Sequence, residues 1–164
     1  MILRVDDAVI DDAARVHSIA WQDSHRAFCG AQFVALHTPE QQKIYLQKKI
    51  DNGSAFYMLV EGTPIGVVSV RGSLIEDLYV LPEQQNKGYG TRLLQFAIQK
   101  CAGQPTLWVL ENNPGAERLY RRFGFLPSGN RKHIGGKLEE FEFILYHEPA
   151  VLQWDCRGKE RRPT

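Results

Sequence analysis

The sequence predicts a mixed α/β fold, in which a sheet of parallel and antiparallel strands is flanked by helices. Three observations predict it: two helical segments come early, three strand-like segments run consecutively between residues 55 and 81, and two strand–helix–strand passages follow. Consecutive strands pair as antiparallel hairpins, whereas a strand–helix–strand passage makes a parallel crossover. The predicted order of elements is β-α-α-β-β-β-α-β-α-β-β.

The first third of the chain is predicted to contain one strand and two helices. Ile2–Val5 has extended character, and apolar residues recur near helical spacing over about residues 11–28. Thr38 followed by Pro39 is typical of a helix start, because threonine caps the first turn and proline suits the first helical position. The second helix is therefore predicted over about residues 39–51.

The strands and helices after this point are bounded by glycine and proline. These residues interrupt the β-forming segments and so mark three successive strands. In chain order the predicted elements are strands at 55–61, 65–71 and 74–81, a helix at 88–101, a strand at 106–110, a helix that opens after Asn113, a strand that begins at Phe125 and a final strand around 140–145.

Length and composition indicate one globular domain. The chain has 164 residues, of which 43% are hydrophobic and 24% charged, close to the average for globular proteins. We expect one domain over residues 1–147 and a loosely ordered tail over 148–164. The formal net charge of +1 argues against a nucleic-acid partner, and the apolar stretches are too short to span a membrane.

Cysteine usage and the N-terminus favour a cytoplasmic protein. Cys29, Cys101 and Cys156 are odd in number and far apart in the sequence, so neither a disulfide framework nor a zinc site is expected. The acidic N-terminal stretch has no apolar core of the kind that signal peptides carry. We therefore expect a cytoplasmic protein without a metal cofactor.

The turn between the third consecutive strand and the next helix carries the clearest chemical signal. Gln85, Gly88 and Gly90 stand in the pattern Gln-x-x-Gly-x-Gly. Glycines let backbone amides approach a ligand, and a helix N-terminus attracts anions, so this turn is a candidate phosphate site. A P-loop pattern is absent, and Leu93 stands where a dinucleotide-binding fingerprint needs glycine. From these residues alone, an ordinary strand–turn–helix connection stays the alternative.

Two motifs together resemble those of the GNAT N-acetyltransferase superfamily. The turn is similar to its acetyl-CoA-binding motif, (Arg/Gln)-x-x-Gly-x-(Gly/Ala). The family's second signature is similar to the block formed by Asn113, Ala116, Leu119, Tyr120, Gly124 and Phe125. The resemblance covers residues 2–147, with the specific motifs in 75–125. It implies the GNAT fold and an enzyme that transfers acetyl from acetyl-CoA to a primary amine by direct attack in a ternary complex.

The resemblance also implies where acetyl-CoA binds. The pantetheine arm would enter a gap between the strand of Leu78–Val80 and the strand of Thr106–Leu110, pairing with exposed backbone groups. Asn86 stands where many members have glycine, and asparagine tolerates positive φ. The residues implied in cofactor binding are Leu78, Tyr79, Val80, Gln85, Asn86, Lys87, Gly88, Tyr89, Gly90, Thr91 and Asn113.

The resemblance assigns a general acid but no certain base. Tyr120 occupies the general-acid position and would protonate the departing thiolate. Trp108 stands where some members have a catalytic glutamate. Glu76 and Asp77 lie on the acceptor-side strand, where strict alternation places them on opposite faces. We favour Glu76 as the base, with a water chain as the alternative.

The acceptor side is predicted from a helical stripe and a loop. His17, Trp21 and His25 recur four residues apart, and in many relatives the first helices and the final hairpin line the acceptor site. Trp21 and His25 are therefore candidate acceptor-side residues, although the stripe also fits the edge of a packing face. His133 is expected in the loop between the last two strands. The acceptor is a small-molecule or protein amine; a catalytically silent acyl-CoA sensor and a homodimer both stay open.

Overall fold

A computed structural model describes residues 1–146, which fall into two compact units. The first unit is Met1–Leu107, and the second begins at Trp108. The tail expected over residues 148–164, with Cys156, lies outside the described residues.

The first unit contains the helices α1 to α4 and four antiparallel strands. Strands β1 to β4 pair antiparallel in chain order, and β4 pairs parallel with the start of β5 at Leu74 and Thr106. Its elements are β1 Ile2–Arg4, α1 Ile10–His25, α2 Ala31–Ala35, α3 Pro39–Asp51, β2 Ala55–Glu61, β3 Thr63–Arg71, β4 Leu74–Val80, a 3-10 turn at Pro82–Gln84 and α4 Tyr89–Lys100.

The second unit is a strand, a helix and a long hairpin. Strand β5 spans Thr106–Leu110, helix α5 spans Pro114–Arg122, and strands β6 and β7 span Phe125–Gly135 and Leu138–Leu145. Strands β6 and β7 pair antiparallel, and β7 lies between β5 and β6 in the strand order. The seven strands make a mixed sheet, so the predicted mixed α/β class is confirmed.

The core of the first unit forms where α1 packs on α3 and on the sheet. Small side chains of α1, such as Ala13 and Ala14, are buried against Leu46 of α3 and Phe56 of β2. Small residues let the helix approach the sheet closely, and burial of the larger apolar side chains stabilises the contact. This packing fixes α1 and α3 beside strand β4.

The structure differs from the predicted elements at two places that concern the site. Helix α1 ends at His25 rather than near residue 28, and the short helix α2 follows it. His133 lies within strand β6, paired with Glu139, and not in a loop as expected. The residues around His133 in β6 are exposed on both faces of the strand. The sequence there shows no alternation of apolar and polar residues that would predict a strand.

Candidate active site

The turn that follows β4 has the geometry of an anion-binding site. Asn86 and Gly88 both have left-handed backbones, with φ of 60° and 87°. Gly88 is the N-cap of α4 and, as glycine, has no side chain with which to cap that end of the helix. The first amides of a helix have no partner within the helix and carry its positive dipole end. The predicted segment Gln85–Thr91 therefore presents a helix N-terminus whose N-cap residue has no side chain.

Two polar contacts fix the side chains around this turn. The side-chain amide of Gln85 donates a hydrogen bond through Nε2 to the carbonyl oxygen of Val80 at 3.2 Å, which connects the turn to the end of β4. Arg92 lies 2.7 Å from the Glu61 carboxylate. The hydrogen bond from Arg92, aided by the N-terminal ammonium, lowers the pKa of Glu61. The Arg92 guanidinium is therefore paired with the Glu61 carboxylate. The backbone N–H groups of the turn are then the main donors available to an anion.

Asn113 and Tyr120 are both placed by helix α5 in the second unit. The Asn113 side-chain oxygen accepts from the Ala116 amide at 3.1 Å and caps the helix. Because the oxygen is used in this way, the side-chain NH₂ group is the part of Asn113 that would donate to a ligand. The spacing of Asn113 and Ala116 in the family signature therefore has a structural cause.

Tyr120 is a buried phenol near the end of α5. Its side chain is 8% exposed, and its ring meets the edge of Phe125 at a centroid distance of 6.1 Å. Burial raises the pKa of Tyr120 to about 12. The hydroxyl is therefore protonated at neutral pH and can donate a hydrogen bond or a proton.

A β-bulge in strand β4 brings Glu76 and Asp77 together. Ser69 pairs with Glu76 and Val67 pairs with Tyr79, so β4 has an extra residue in this interval, and Asp77 has φ of 35°. The Lys49 ammonium lies 2.9 Å from Glu76 Oε2 and 3.0 Å from Asp77 Oδ2. The prediction that the two carboxylates lie on opposite faces is wrong, because the bulge breaks the alternation.

Glu76, the favoured base, is held by cations in this structure. Its Oε2 also accepts from Ser54 Oγ at 3.2 Å, and its Oε1 lies 3.6 Å from the Arg71 guanidinium. Both carboxylate oxygens therefore have partners. These contacts fit a charge-balancing role within the sheet better than proton transfer.

Asp77 lies at the centre of a buried polar network. Its Oδ1 accepts from His17 Nε2 at 3.2 Å and from the Tyr45 hydroxyl at 2.8 Å. Its Oδ2 accepts from Lys49 Nζ at 3.0 Å and from Ser69 Oγ at 2.9 Å. Burial acts to raise the pKa of Asp77, but the hydrogen bond from His17 and the charge and hydrogen bond of Lys49 outweigh it and lower the pKa.

The same network affects the tyrosine of helix α3. Burial first, and then the negative charge of Asp77 and the hydrogen bond to it, raise the pKa of Tyr45 far above its ordinary value. Tyr45 is therefore a neutral donor, and Asp77 is an ionised acceptor, across the neutral pH range.

A cavity of about 360 Å³ lies next to this network, between α1, α3 and the segment after α2. Trp21, a predicted acceptor-side residue, lines it. Its indole stacks on His37 at 3.5 Å and on His25 at 3.9 Å between ring centroids. The full lining is His17, Trp21, Leu36, His37, Gln41, Gln42 and Tyr45.

The predicted acceptor-side residues therefore have different surroundings. Trp21 borders the cavity directly, and His25 stacks on Trp21. His133 belongs to the second unit, on strand β6. With two imidazoles stacked on it, the indole has little face left for a cationic ligand, and its contact with a ligand is confined to its edges.

The sequence pattern did not predict Tyr45, His37 or the network around Asp77. One sequence signal was available for His17, which lies in the otherwise apolar repeat of α1 with Ala13, Val16 and Ala20. No local pattern links it to Asp77, 60 residues later.

Comparisons with known proteins establish the family. The profile of the Acetyltransferase (GNAT) family matches residues 13–125, more than half of the chain. The protein therefore belongs to the GNAT acetyltransferase family, which confirms the resemblance found in the sequence. Among curated proteins, mycothiol acetyltransferase of Amycolatopsis mediterranei (strain U-32) is 28% identical over 85 residues. That match covers 48% of this chain and 28% of the relative.

Solved structures share the fold at low sequence identity. PaiA N-acetyltransferase from Thermoplasma acidophilum in complex with coenzyme A superposes with a TM-score of 0.66 at 16% identity, covering 87% of this chain and 96% of that one. The ribosomal-protein-S18-alanine N-acetyltransferase from Escherichia coli gives a TM-score of 0.67 at 15% identity, covering 93% and 97%. These matches confirm the predicted GNAT fold.

The described residues contain neither a metal-ligand cluster nor a membrane-spanning helix. Within residues 1–146, no group of three or more His, Cys, Asp or Glu side chains is placed to hold a metal ion. None of the helices in the same range has the length and apolar character needed to cross a membrane.

Proposed function

We propose that the protein is an acetyl-CoA-dependent N-acetyltransferase that acts on a primary amine by direct attack in a ternary complex. The observation that carries the proposal is the left-handed Gly88 turn at the N-terminus of α4, in a chain of the GNAT family. The coenzyme A bound to one structural neighbour supports acetyl-CoA as the co-substrate.

The residues of the turn fit the pyrophosphate of acetyl-CoA. Apart from Gly88, its chain neighbours and the backbone of its own helix, no atom of residues 1–146 lies within 4 Å of the position that a Cβ at Gly88 would occupy, so this part of the structure leaves space beside the turn. The amides of residues 85–91 would hold the pyrophosphate, and Asn113 would donate to the pantetheine arm. Acetyl-CoA supplies the activated thioester carbonyl; the protein binds it and handles protons.

The proposed general acid is Tyr120. Its burial and its raised pKa, about 12, keep the phenol protonated at neutral pH. The phenol would donate a hydrogen bond to the thiolate that leaves the thioester, and a thiolate is more easily expelled when it accepts one.

The proposal is tested by following thiol release from acetyl-CoA against a panel of amines. We expect amine-dependent release above the background hydrolysis seen without amine. Two results would contradict the proposal in different ways. Binding of acetyl-CoA without release for any amine would favour the silent sensor, and no binding at all would remove acetyl-CoA as ligand.

A further inference from the structure

His17 combines deep burial with an unpaired ring nitrogen. The residue is 1% exposed, and its Nε2 lies 3.2 Å from Asp77 Oδ1. Its Nδ1 is buried and has no hydrogen-bond partner among the described residues. An unpaired buried polar atom destabilises a fold, so a position that served packing alone would favour an apolar side chain.

Asp77 decides which nitrogen of His17 carries the proton. An ionised carboxylate only accepts hydrogen bonds, so Nε2 must donate to Asp77 and keep its hydrogen. The neutral imidazole then has its lone pair on Nδ1, the atom without a partner. Tyr45, Lys49 and Ser69 hold the carboxylate in place from two other elements. This is the arrangement in which a carboxylate orients a histidine base.

The His17 ring also borders the cavity beside α1. The cavity, at about 360 Å³, is near the small end of ligand pockets. Its lining is aromatic, aliphatic or neutral: Gln41 and Gln42 offer amides, and none of the seven lining residues is a carboxylate. Leu36 is 66% exposed at its edge. The lining suits an apolar or aromatic body with few polar groups, and gives a polycation no counter-charge.

We propose that His17 is the base that deprotonates the acceptor, that Asp77 positions its ring, and that this cavity binds a small amine with an apolar or aromatic body. The inference rests on the proposed acetyltransferase function. It replaces Glu76, whose oxygens contact Lys49 and Arg71. Nδ1 is shielded from solvent in this structure, so proton transfer would require a side chain of the cavity wall to move when the amine binds.

The step balances in atoms and electrons. The ammonium of the acceptor gives one proton to Nδ1 of His17, and the freed lone pair of the nitrogen forms a C–N bond to the thioester carbonyl carbon. The C–S bond breaks, and the thiolate takes a proton from Tyr120, the proposed acid. The acylated nitrogen then loses its second proton to solvent, which leaves a neutral amide. The Tyr120 phenolate regains a proton from solvent, and the imidazolium of His17 releases its proton to solvent.

The charged neighbours of His17 shape the pH dependence. Among residues 1–146, Asp77 is the carboxylate in direct contact with the His17 ring. The titratable and charged groups in contact with the ring or with Asp77 are Tyr79 from β4 and Tyr45 and Lys49 from α3. His37, from the segment after α2, lines the same cavity. Glu76 contacts Lys49, and Arg71 contacts Glu76.

The test is the pH dependence of kcat for acetyl transfer to 2-phenylethylamine. We expect wild-type kcat to fall at low pH, where the base is protonated. His17→Gln should lower kcat by about 100- to 10,000-fold and abolish that fall. Asp77→Asn should keep the fall but shift it to lower pH, because the imidazolium loses its negative neighbour. A residue with a purely structural role would not move this profile.

Controls separate chemistry from folding. His37→Gln removes the other imidazole of the cavity wall. This variant should keep the fall of kcat at low pH, whatever its effect on KM. Free imidazole should restore part of the activity of His17→Ala. Melting temperatures with and without acetyl-CoA show whether each variant is folded. If the His17 variants do not fold, two measurements still test the proposal. They are the shift in the low-pH fall of kcat in Asp77→Asn and the comparison of amines described below.

The outcomes are distinguishable from failure of the proposed function. If wild-type protein releases no thiol with any amine, the acetyltransferase assignment itself is overturned. If wild-type protein is active and folded His17→Gln keeps both its rate and the fall of kcat at low pH, only the role of His17 is overturned. A lower KM for 1,4-diaminobutane than for 2-phenylethylamine would overturn the class of acceptor, because the cavity wall lacks carboxylates.

Discussion

At the scale of single residues, the hydroxyl of Tyr120 is the group whose removal is most informative. Tyr120→Phe deletes only the proton donor, so we expect kcat to fall about 10- to 1,000-fold with little change in acetyl-CoA affinity. The measurement is steady-state thiol release, with binding followed by thermal shift.

Tyr57 supplies a matched control for this substitution. It is also a buried tyrosine, 8% exposed like Tyr120, but lies on strand β2 in the first unit. Tyr57→Phe should leave kcat within a factor of about two of wild type, since a lost core hydroxyl affects stability rather than chemistry. Equal losses in the two variants would remove Tyr120 from the mechanism.

Asp77 should make stability depend on pH in a defined direction. Its pKa is lower in the folded protein than in the unfolded chain, where it is about 3.9. The stabilisation is therefore complete above about pH 4 and is lost as the pH falls through the folded value. Asp77→Asn should cost about 1.5–3 kcal/mol of unfolding free energy at pH 7, the value of a hydrogen bond to a charged group.

Urea unfolding of wild type and Asp77→Asn between pH 7 and pH 2 checks this expectation. The difference between the two proteins should shrink below about pH 4, where Asp77 of the unfolded wild-type chain begins to be protonated while the folded carboxyl is still ionised. Asp51→Asn is the control, because Asp51 is an exposed carboxylate at the end of α3. A difference that stays constant down to pH 2 would contradict the role given to the Asp77 charge.

At the scale of elements, the bulge in β4 explains why the sequence did not predict the network. A strand predicted from alternation assumes that every residue changes face, and the extra residue at Asp77 breaks that rule. A positive φ at an aspartate has no sequence marker of the kind that glycine provides. The strands on either side of the site could be predicted from local patterns, and the contact between their side chains could not.

The contact of α4 with β3 depends on one glycine. A Cβ at Gly66 would lie 2.8 Å from both Leu93 Cδ1 of α4 and the carbonyl oxygen of Tyr79 on β4. The backbone oxygen has no freedom to move aside, so Gly66→Ala should destabilise the protein by about 1–3 kcal/mol. The urea midpoint reports the loss. Gly30→Ala, where nothing lies within 4 Å, should change stability by less than this; equal effects would contradict the packing argument.

At the scale of the whole molecule, the class of fold and the family followed from the sequence for identifiable reasons. Periodicity and breakers defined most strands and helices, and the motifs around Gly88 and Tyr120 lie at a helix start and a helix end that local sequence specifies. The proposed acceptor side depends instead on α1, α3 and β4, which are far apart in the chain. Side chains such as His17 and Tyr45 meet Asp77 only once the fold has formed.

Binding of acetyl-CoA should stabilise the folded chain as a whole. At a ligand concentration of about 100 times Kd, the gain is about 2.7 kcal/mol, or a rise of about 5–10 °C in Tm for a protein of this size. Gly88→Val should abolish the rise, because a β-branched residue is strained at a φ of 87° and its side chain would enter the open space proposed for the pyrophosphate.

Gly53 allows the strain to be separated from the binding. It has a φ of 97° and, like Gly88, no atom within 4 Å of the position that a Cβ would occupy, but it lies in the turn after α3. Gly53→Val should lower Tm in the absence of ligand about as much as Gly88→Val, since both force valine into the left-handed region. Only Gly88→Val should lose the acetyl-CoA-dependent rise. A full rise in Gly88→Val, or its loss in Gly53→Val, would show that the turn at the start of α4 does not bind the cofactor.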